Sequence, residues 1–283
     1  LNADKLYFTY PKASSPALKG ISFSVGEGEI FGFLGPSGAG KSTAVKVLTG
    51  LLGRYTGKVT VMGSEVCSAG TFFYNSIGVA FEFPNLYTRF SGLENLQLAA
   101  RLYPKPTEDP DALLRRLELH RFADQRVSSY SKGMRMRLSL CRALIGSPSL
   151  LFLDEPTSGL DPVYAGLVKR IIRERSEAGT TVVLTTHNMQ VADELCHRVG
   201  FIVDGEMPVC DAPKKLKLAH SRETVQVEYR SGGSLVSEEL PLHGLHANRR
   251  FRELSSSDAL VTIHSCEATL DEVFSRVTGR SLA

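Results

Sequence analysis

Nine consecutive residues, GPSGAGKST at positions 35 to 43, place three glycines, one lysine and three hydroxyl groups in one short segment. The spacing Gly35-x-x-x-x-Gly40-Lys41-Ser42 fits the phosphate-binding loop, in which glycines leave backbone N–H groups free to face an anion. We predict that Lys41 reaches the β- and γ-phosphates of a nucleoside triphosphate and that the Ser42 hydroxyl binds Mg²⁺. The residues assigned to nucleotide binding here are Gly35, Pro36, Ser37, Gly38, Ala39, Gly40, Lys41, Ser42 and Thr43. An ordinary glycine-rich turn is the alternative, and the strand expected before the loop and the helix expected after it count against that turn.

Two acids follow four apolar residues in the segment Leu150-Leu-Phe-Leu-Asp-Glu155. This pattern predicts a buried strand that ends in charge, at the edge of a parallel sheet where ligands bind. We expect Asp154 to hold Mg²⁺, directly or through water, beside Ser42. Glu155 is placed to accept a proton from water that attacks the γ-phosphate. An acidic helix cap after the strand is the alternative, and the phosphate loop earlier in the chain disfavours it.

The apolar spacing predicts the elements that must hold these residues. Residues 4 to 34 alternate apolar and polar positions, which predicts a short antiparallel sheet leading into the phosphate-loop strand. From Leu93 to about Ser147 the spacing becomes helical, so we predict a helical subdomain inserted at about residues 84 to 148. Strands then alternate with helices, and this alternation implies a mostly parallel sheet.

The pattern changes again after residue 217. Alternating residues such as Val225 and Val227 indicate strands, and Thr269 with Glu272 forms the capping box of a last helix. We therefore predict an α/β protein with two domains, a nucleotide-binding domain over residues 1–217 and a small β-rich accessory domain over residues 218–283.

The composition limits the possible classes of protein. Hydrophobic residues make up 42% and charged residues 22% of the 283 positions, as in globular proteins. The formal net charge of +3 is too small to indicate a nucleic-acid partner, and none is expected. No apolar run approaches the roughly 18 residues that span a bilayer, and the sequence does not open on a secretion signal. The five cysteines are scattered, which predicts a reducing cytosolic protein rather than a disulfide scaffold or a zinc module.

Five further segments lie in an order typical of one family. They are Tyr10 before Pro11, Phe81-Glu82-Phe83-Pro84, Tyr130-Ser131-Lys132-Gly133-Met134, Ser158-Gly159-Leu160-Asp161, and His187. With the two sites above, they make the sequence resemble the ATP-binding subunit of an ATP-binding-cassette (ABC) transporter over about residues 1 to 215. The resemblance implies a P-loop NTPase core with an N-terminal antiparallel β subdomain, an inserted helical subdomain and a small C-terminal appendix.

The resemblance also implies a role for each segment, with ATP and Mg²⁺ as ligands. Tyr10 is expected to stack on adenine, with Tyr7 as the alternative. His187 is expected to be catalytic, as is Glu155, and to hydrogen-bond the γ-phosphate. Glu82 is expected to join Ser42 and Asp154 around the metal. The residues expected to contact ATP held by a second subunit, in a head-to-tail dimer, are Ser131, Gly133, Met134 and Asp161.

Three positions depart from the family's pattern. Lys132 replaces the first glycine and Met134 the glutamine of the signature motif, and Glu82 replaces a neutral glutamine. Ser131 and Gly133 retain a hydroxyl and a glycine at a predicted helix start, which suits an anion, although Ser131 capping its own helix is the alternative. The arginines of this helix are expected on its surface, solvated or paired: Arg135, Arg137 and Arg142.

The expected partners are a second ATPase subunit and a separate transmembrane permease, which places the protein at the cytoplasmic side of the cell membrane. The segment 268–279 resembles the end of prokaryotic ABC-2 type export subunits, so export is favoured over import. The permease contact is expected near residues 82–94, whose apolar side chains either line a groove or belong to the core: Phe83, Leu86, Tyr87 and Phe90. The alternatives are an ABC ATPase acting on nucleic acid or ribosomes, and a P-loop phosphotransferase.

Overall fold

The computed structural model describes residues 1–280 and contains two compact units, Leu1–Pro213 and a second that begins at Lys214. The strands of the first unit are β1 (Asn2–Phe8), β2 (Leu18–Ser24), β3 (Ile30–Leu34), β4 (Thr56–Val61), β5 (Ser64–Glu65), β6 (Ile77–Ala80), β7 (Leu150–Asp154), β8 (Thr181–Thr186), β9 (Arg198–Val203) and β10 (Glu206–Asp211). Its helices are α1 (Lys41–Leu48), α2 (Thr71–Ser76), α3 (Gly92–Ala100), α4 (Pro110–Arg116), α5 (Lys132–Leu144), α6 (Pro162–Glu177) and α7 (Met189–Leu195). Helix α8 (Pro213–His220) follows and contains both the break between the units and the predicted domain boundary at residue 217, which stays a prediction.

A six-stranded sheet forms the centre of the first unit, in the order β10-β9-β3-β8-β7-β6. Strand β10 is antiparallel to β9, and the other neighbours are parallel. Strands β3, β7 and β8 are buried at every position, which explains the nearly continuous apolar sequences of β3 and β7. The predicted α/β core with a mostly parallel sheet is therefore confirmed.

A separate antiparallel sheet in the order β2-β1-β4-β5 forms the predicted N-terminal β subdomain. Its buried side chains pack with those of the phosphate-loop strand and helix into one core, in which Phe23 and Phe31 stack with ring centroids 5.5 Å apart. The sheet therefore shares a core with both the strand and the helix that flank the loop.

Helices α3, α4 and α5 form the predicted inserted helical subdomain. Each helix has an N-cap whose side chain accepts a hydrogen bond from a backbone N–H of the first turn. Ser91 makes a capping box with Glu94, and the other two N-caps are Asp109 and Ser131. No helix within residues 1–280 is both long enough and apolar enough to cross a membrane.

The second unit contains β11 (Thr224–Ser231), β12 (Ser234–Pro241), α9 (Arg249–Ser255), β13 (Leu260–Ser265) and α10 (Leu270–Thr278). Its antiparallel sheet has the order β12-β11-β13 and packs on a small core. The fully buried apolar residues of that core are Val225, Val227, Leu240 and Leu254. The sequence did not predict α9, because this short helix is mostly charged and presents few apolar residues at helical spacing.

A substitution at Leu254 tests how far the stability of the second unit depends on this small core. Replacing it with alanine removes a side chain that is 5% exposed, so we expect a loss of about 2–5 kcal/mol in the unfolding free energy of the unit. Hydrogen exchange should accelerate in β11 and α9 while β3 and β7 stay protected. The matched control is Leu235→Ala, at a position 60% exposed, where a change within about 0.5 kcal/mol is expected. Equal effects of the two substitutions would contradict the assigned core.

Candidate functional site

The predicted phosphate loop connects β3 to α1 and depends on glycine at specific positions. Gly35, Gly38 and Gly40 have φ values of +152°, +80° and +114°, which side chains disfavour. A Cβ on Gly35 would lie 2.0 Å from the Ile202 carbonyl oxygen, so the close approach of β9 also requires glycine there. A Cβ on Gly38 would meet nothing within 4 Å in the described chain, and no side chain caps α1. The loop therefore presents open backbone at a helix start, as an anion requires.

Lys41 is a buried cation at the base of this loop. Its side chain is 6% exposed, and Nζ donates hydrogen bonds to the Gly35 and Pro36 carbonyl oxygens at 2.7 and 2.9 Å. Burial lowers the pKa of the Lys41 ammonium, whereas the charges of Glu155, Asp154 and Glu82 act in the opposite direction. The lysine thus lies in the field of the acids that the sequence assigned to metal binding and proton transfer.

Asp154, Ser42 and Thr185 form a connected group of oxygen atoms. The Asp154 Oδ1 atom accepts hydrogen bonds from the Ser42 hydroxyl at 3.0 Å and from the Thr185 hydroxyl at 2.5 Å. Hydroxyl and carboxylate oxygens are the ligands that Mg²⁺ prefers. Within residues 1–280, no cluster of three His, Cys, Asp or Glu side chains offers a full protein cage. The donor set fits a Mg²⁺ held by a few protein oxygens together with phosphate.

Glu155 and His187 are in direct contact. The His187 Nδ1 atom lies 2.8 Å from Glu155 Oε1, and because a carboxylate oxygen accepts, Nδ1 is the donor. The Glu155 side chain is 9% exposed, whereas that of His187 is 57% exposed. Glu155 has φ +50°, an uncommon value for a residue with a side chain, and its backbone N–H donates to Thr185 Oγ1. The histidine therefore holds the carboxylate of a residue whose backbone is itself constrained.

The structure distinguishes between the two tyrosines considered for adenine. The Tyr10 hydroxyl lies 3.1 Å from Thr43 Oγ1, so this ring adjoins the phosphate loop. Tyr10 is also supported edge-on by Phe8, with ring centroids 4.9 Å apart. The Tyr7 ring instead covers Gly20, where an added Cβ would lie 2.6 Å from Tyr7 Cζ. The geometry thus favours Tyr10.

The signature motif lies against the loop 158–161 of the same chain. Ser131 Oγ accepts a hydrogen bond from the Met134 N–H at 3.2 Å, so Ser131 does cap α5 while remaining exposed. A Cβ added to Gly133 would lie 3.1 Å from Leu160 Cδ2, and one added to Gly159 would lie 3.2 Å from Lys132.

Asp161 belongs to this loop, and its carboxylate caps α6 by accepting from the Val163 and Tyr164 N–H groups at 3.0 and 3.1 Å. Among residues 1–280, no hydrogen bond joins Ser131, Gly133, Met134 or Asp161 to the loop 35–43. The structure therefore brings together two groups of predicted residues but does not join one group to the other.

Glu82 follows β6 and is half-buried, and its charge opposes the fall in the Lys41 pKa caused by burial. It therefore adjoins the phosphate-loop side of the site. The apolar residues after it are not core: Phe83, Tyr87 and Phe90 are 76%, 60% and 41% exposed. Tyr87 and the half-buried Leu86 line a groove of about 760 Å³ between the core and the helical subdomain.

The expectation for the arginines of α5 is wrong for Arg137, which is 3% exposed. Arg142 is half-buried at the groove, where its guanidinium donates to the Asn85 carbonyl oxygen and burial lowers its pKa. Both side chains point into the contact between α5 and its neighbours rather than into solvent. A charge pattern alone did not reveal this, because burial depends on elements that are distant in the sequence.

Thr185 is a site residue that the sequence reasoning missed. It contacts both Asp154 and the Glu155 backbone, because β7 and β8 pair in parallel with Asp154 opposite Thr185. The available signal was a pair of threonines at the end of the apolar strand pattern that begins at Val182. Polar residues at the carboxyl end of a buried parallel strand are typical of ligand sites.

The chain is similar to known ABC transporter proteins. The ABC transporter family model matches residues 18–158, and a model of the fluoroquinolone efflux ABC transporter C-terminal domain matches residues 223–267. A fluoroquinolones export ATP-binding protein of Mycobacterium tuberculosis is 51% identical over 278 residues, covering 98% of this chain and 92% of that protein. The Nod factor export ATP-binding protein I of Rhizobium meliloti is 38% identical over 225 residues, covering 78% of this chain and 64% of that protein.

Solved structures of similar fold are ATP-binding cassettes. One is a dimeric cassette in a post-hydrolysis state bound to ADP and Pi, with a TM-score of 0.67 and 26% identity, covering 75% of this chain and 97% of that chain. Another is the ATP-binding subunit of an ABC transporter, with a TM-score of 0.70 and 25% identity, covering 77% of this chain and 92% of that chain.

Replacing each tyrosine with alanine tests which ring supports adenine. Loss of a stacking ring costs about 1–3 kcal/mol, so Tyr10→Ala should weaken ATP binding roughly 5- to 150-fold. Tyr7→Ala is the matched control and should leave the Kd for ATP within about twofold, because its ring covers Gly20 instead. Titration calorimetry with ATP measures both values. A larger loss in the Tyr7 variant would exclude Tyr10 as the adenine platform.

Proposed function

This chain belongs to the ABC transporter family as an ATP-binding and ATP-hydrolysing subunit of an exporter, and we propose that two copies enclose ATP head to tail. The alternatives, an ABC ATPase acting on nucleic acid or ribosomes and a P-loop phosphotransferase, are not favoured, because the relatives named above are export subunits.

The separation of the two groups of site residues supports the dimer. Lys41, Ser42 and Glu155 lie around the phosphate loop, whereas Ser131 and Gly133 lie at an exposed helix tip without a hydrogen bond to that loop in the described residues. Each group alone is half of a triphosphate site. A second copy rotated by a two-fold axis brings the helix tip of each chain to the phosphate loop of the other. The solved cassette dimer with ADP and Pi is consistent with this arrangement.

The chemistry in each half follows from the contacts of the chain's own residues. The loop N–H groups and Lys41 bind the β- and γ-phosphates, and Ser42 with Asp154 would hold Mg²⁺, which neutralises phosphate charge. Glu155 accepts the proton of the attacking water, and its contact with His187 keeps the carboxylate in position. Tyr10 supports adenine beside Thr43. Glu82 would provide a further oxygen ligand for the metal, in place of an amide.

The membrane partner is proposed to dock in the groove next to Leu86. The groove combines a volume of about 760 Å³ with apolar lining and an exposed aromatic rim that includes Tyr87. Exposed apolar surface of this kind is typical of protein interfaces. The protein would then act at the cytoplasmic face of the membrane. Similarity to a fluoroquinolones export subunit over nearly the whole chain supports compounds of that class as the cargo of the partner.

Neutralising Glu155 separates ATP binding from hydrolysis. The Glu155→Gln variant keeps the volume of the side chain but cannot accept a proton, so we expect kcat to fall about 10²- to 10⁴-fold. The Kd for ATP should stay within about twofold of the parent value, because the loop and Lys41 are unchanged. Phosphate release and nucleotide titration measure the two quantities. Undiminished turnover would remove Glu155 from the proposed role.

Blocking the helix tip tests whether a second copy completes the site. In the Glu155→Gln background, Ser131→Arg places a long side chain where the partner's triphosphate must approach, so ATP should no longer produce a dimer. Sedimentation velocity with and without ATP gives the result, and nucleotide titration should show that the monomer still binds ATP. The matched control is Ser68→Arg, at an exposed serine in the short 3-10 helix after β5, and this variant should dimerise like the parent. An ATP-dependent dimer of the Ser131→Arg variant would contradict the head-to-tail site.

A further inference from the structure

Arg137 is a buried charged residue that the proposed chemistry does not use. It lies on α5, the helix that carries the signature motif at its tip, and is 3% exposed. A buried guanidinium is expensive unless hydrogen bonds and a charged or aromatic neighbour compensate its lost hydration. The contacts of Arg137 therefore indicate its role.

The guanidinium joins α5 to the end of α4. The Nη1 atom donates hydrogen bonds to the Leu117 carbonyl oxygen at 2.6 Å and to the Glu118 carbonyl oxygen at 3.2 Å. These are carbonyl groups that a helix leaves unpaired where it ends, and a cation is favoured there. Arg137 consequently ties the signature helix to the rest of the helical subdomain.

The same guanidinium also joins α5 to the start of α6. Its central carbon lies 3.6 Å from the centroid of the Tyr164 ring, which is a close cation–π stack. The Tyr164 N–H in turn donates to Asp161, the last residue of the loop 158–161. One planar group therefore contacts the end of α4 and the first turn of the helix that follows this loop.

Stability alone does not account for Arg137. Its Nε atom is buried and has no hydrogen-bond partner among the described residues, so part of the lost hydration is not compensated. An apolar side chain of similar volume would avoid that loss. A rigid guanidinium offers something that an apolar residue does not, since it fixes direction through its hydrogen bonds and distance through its stack.

The helical subdomain has a second attachment to α6, away from the loop. Arg116 pairs with Glu174 at 2.5 Å, and Arg175 pairs with Glu108 at 2.6 Å, both near the C-terminal end of α6. The Arg137–Tyr164 contact lies at the opposite end, next to Asp161. Both attachments join the helical subdomain to α6. Of the two, the Arg137–Tyr164 contact is the one that adjoins residues proposed to face the partner's nucleotide.

We propose that Arg137 is a positioning residue for the dimer site: its stack on Tyr164 sets the signature helix tip and the loop 158–161 in one fixed arrangement. The inference rests on the proposed head-to-tail function. Gly133 at the helix tip is within contact range of Leu160 in the loop. A small rotation of α5 about α6 therefore changes the positions at which the helix tip and the loop meet the second copy. The stack prevents that rotation, and both segments reach the triphosphate together.

The experiment uses the full chain in the Glu155→Gln background and measures the ATP-dependent dimer constant by sedimentation. Arg137→Met and Tyr164→Leu should each weaken dimerisation at least about tenfold, while the Kd for ATP on the monomer stays within about twofold. The double variant should dimerise no more weakly than either single variant, because the two substitutions remove the same interaction. Tyr164→Phe keeps a ring under the guanidinium and should behave like the parent.

Arg116→Met is the matched control, since it breaks a link between α4 and α6 that lies away from the loop. It should leave the dimer constant unchanged, even if it lowers the unfolding temperature. A lower unfolding temperature in Arg137→Met with an unaltered dimer constant would overturn the proposal, because Arg137 would then serve folding alone. If Arg137→Met does not fold, Tyr164→Leu against Tyr164→Phe decides, and equal dimer constants for those two variants overturn it. Failure of the Glu155→Gln parent to dimerise with ATP would instead overturn the proposed function.

Discussion

The Asp154 carboxylate makes the interaction on which the site depends, because it connects three separate elements. It ends β7, accepts a hydrogen bond from Ser42 at the start of α1, and accepts another from Thr185 near the end of β8. The parallel register of β7 and β8 places Asp154 opposite Thr185, so the sheet itself sets this geometry. A slip of one residue would turn the carboxylate to the other face of the sheet and separate it from the phosphate loop.

Asp154 also lies among other charged side chains at this edge of the sheet. Lys41 is buried under the loop, and burial lowers its pKa, while the charges of Glu155, Asp154 and Glu82 oppose part of this fall. Glu155 keeps an uncommon backbone conformation, which the bond from its N–H to Thr185 and the contact with His187 support.

The helical subdomain contributes in a different way, since it lines the groove against the core and carries the exposed tip of the signature motif. Its tip at Ser131 is capped and exposed, and its base is tied to α6 by buried and half-buried arginines. Charged side chains therefore occupy part of the contact between the helical subdomain and α6.

Local chemistry in the sequence determined the phosphate loop, the acids after the apolar strand, the caps of α6 and α10, and the alternation that indicates a parallel sheet. Each of these features depends on residues that are close together in the sequence, so the local pattern is enough to predict it. Only the tertiary structure decided that Arg137 is buried, that Phe83 is exposed, and that Tyr10 rather than Tyr7 adjoins the loop. It also revealed Thr185 beside Asp154. These outcomes depend on contacts between segments far apart in the chain, and burial or register between such segments has no local signature.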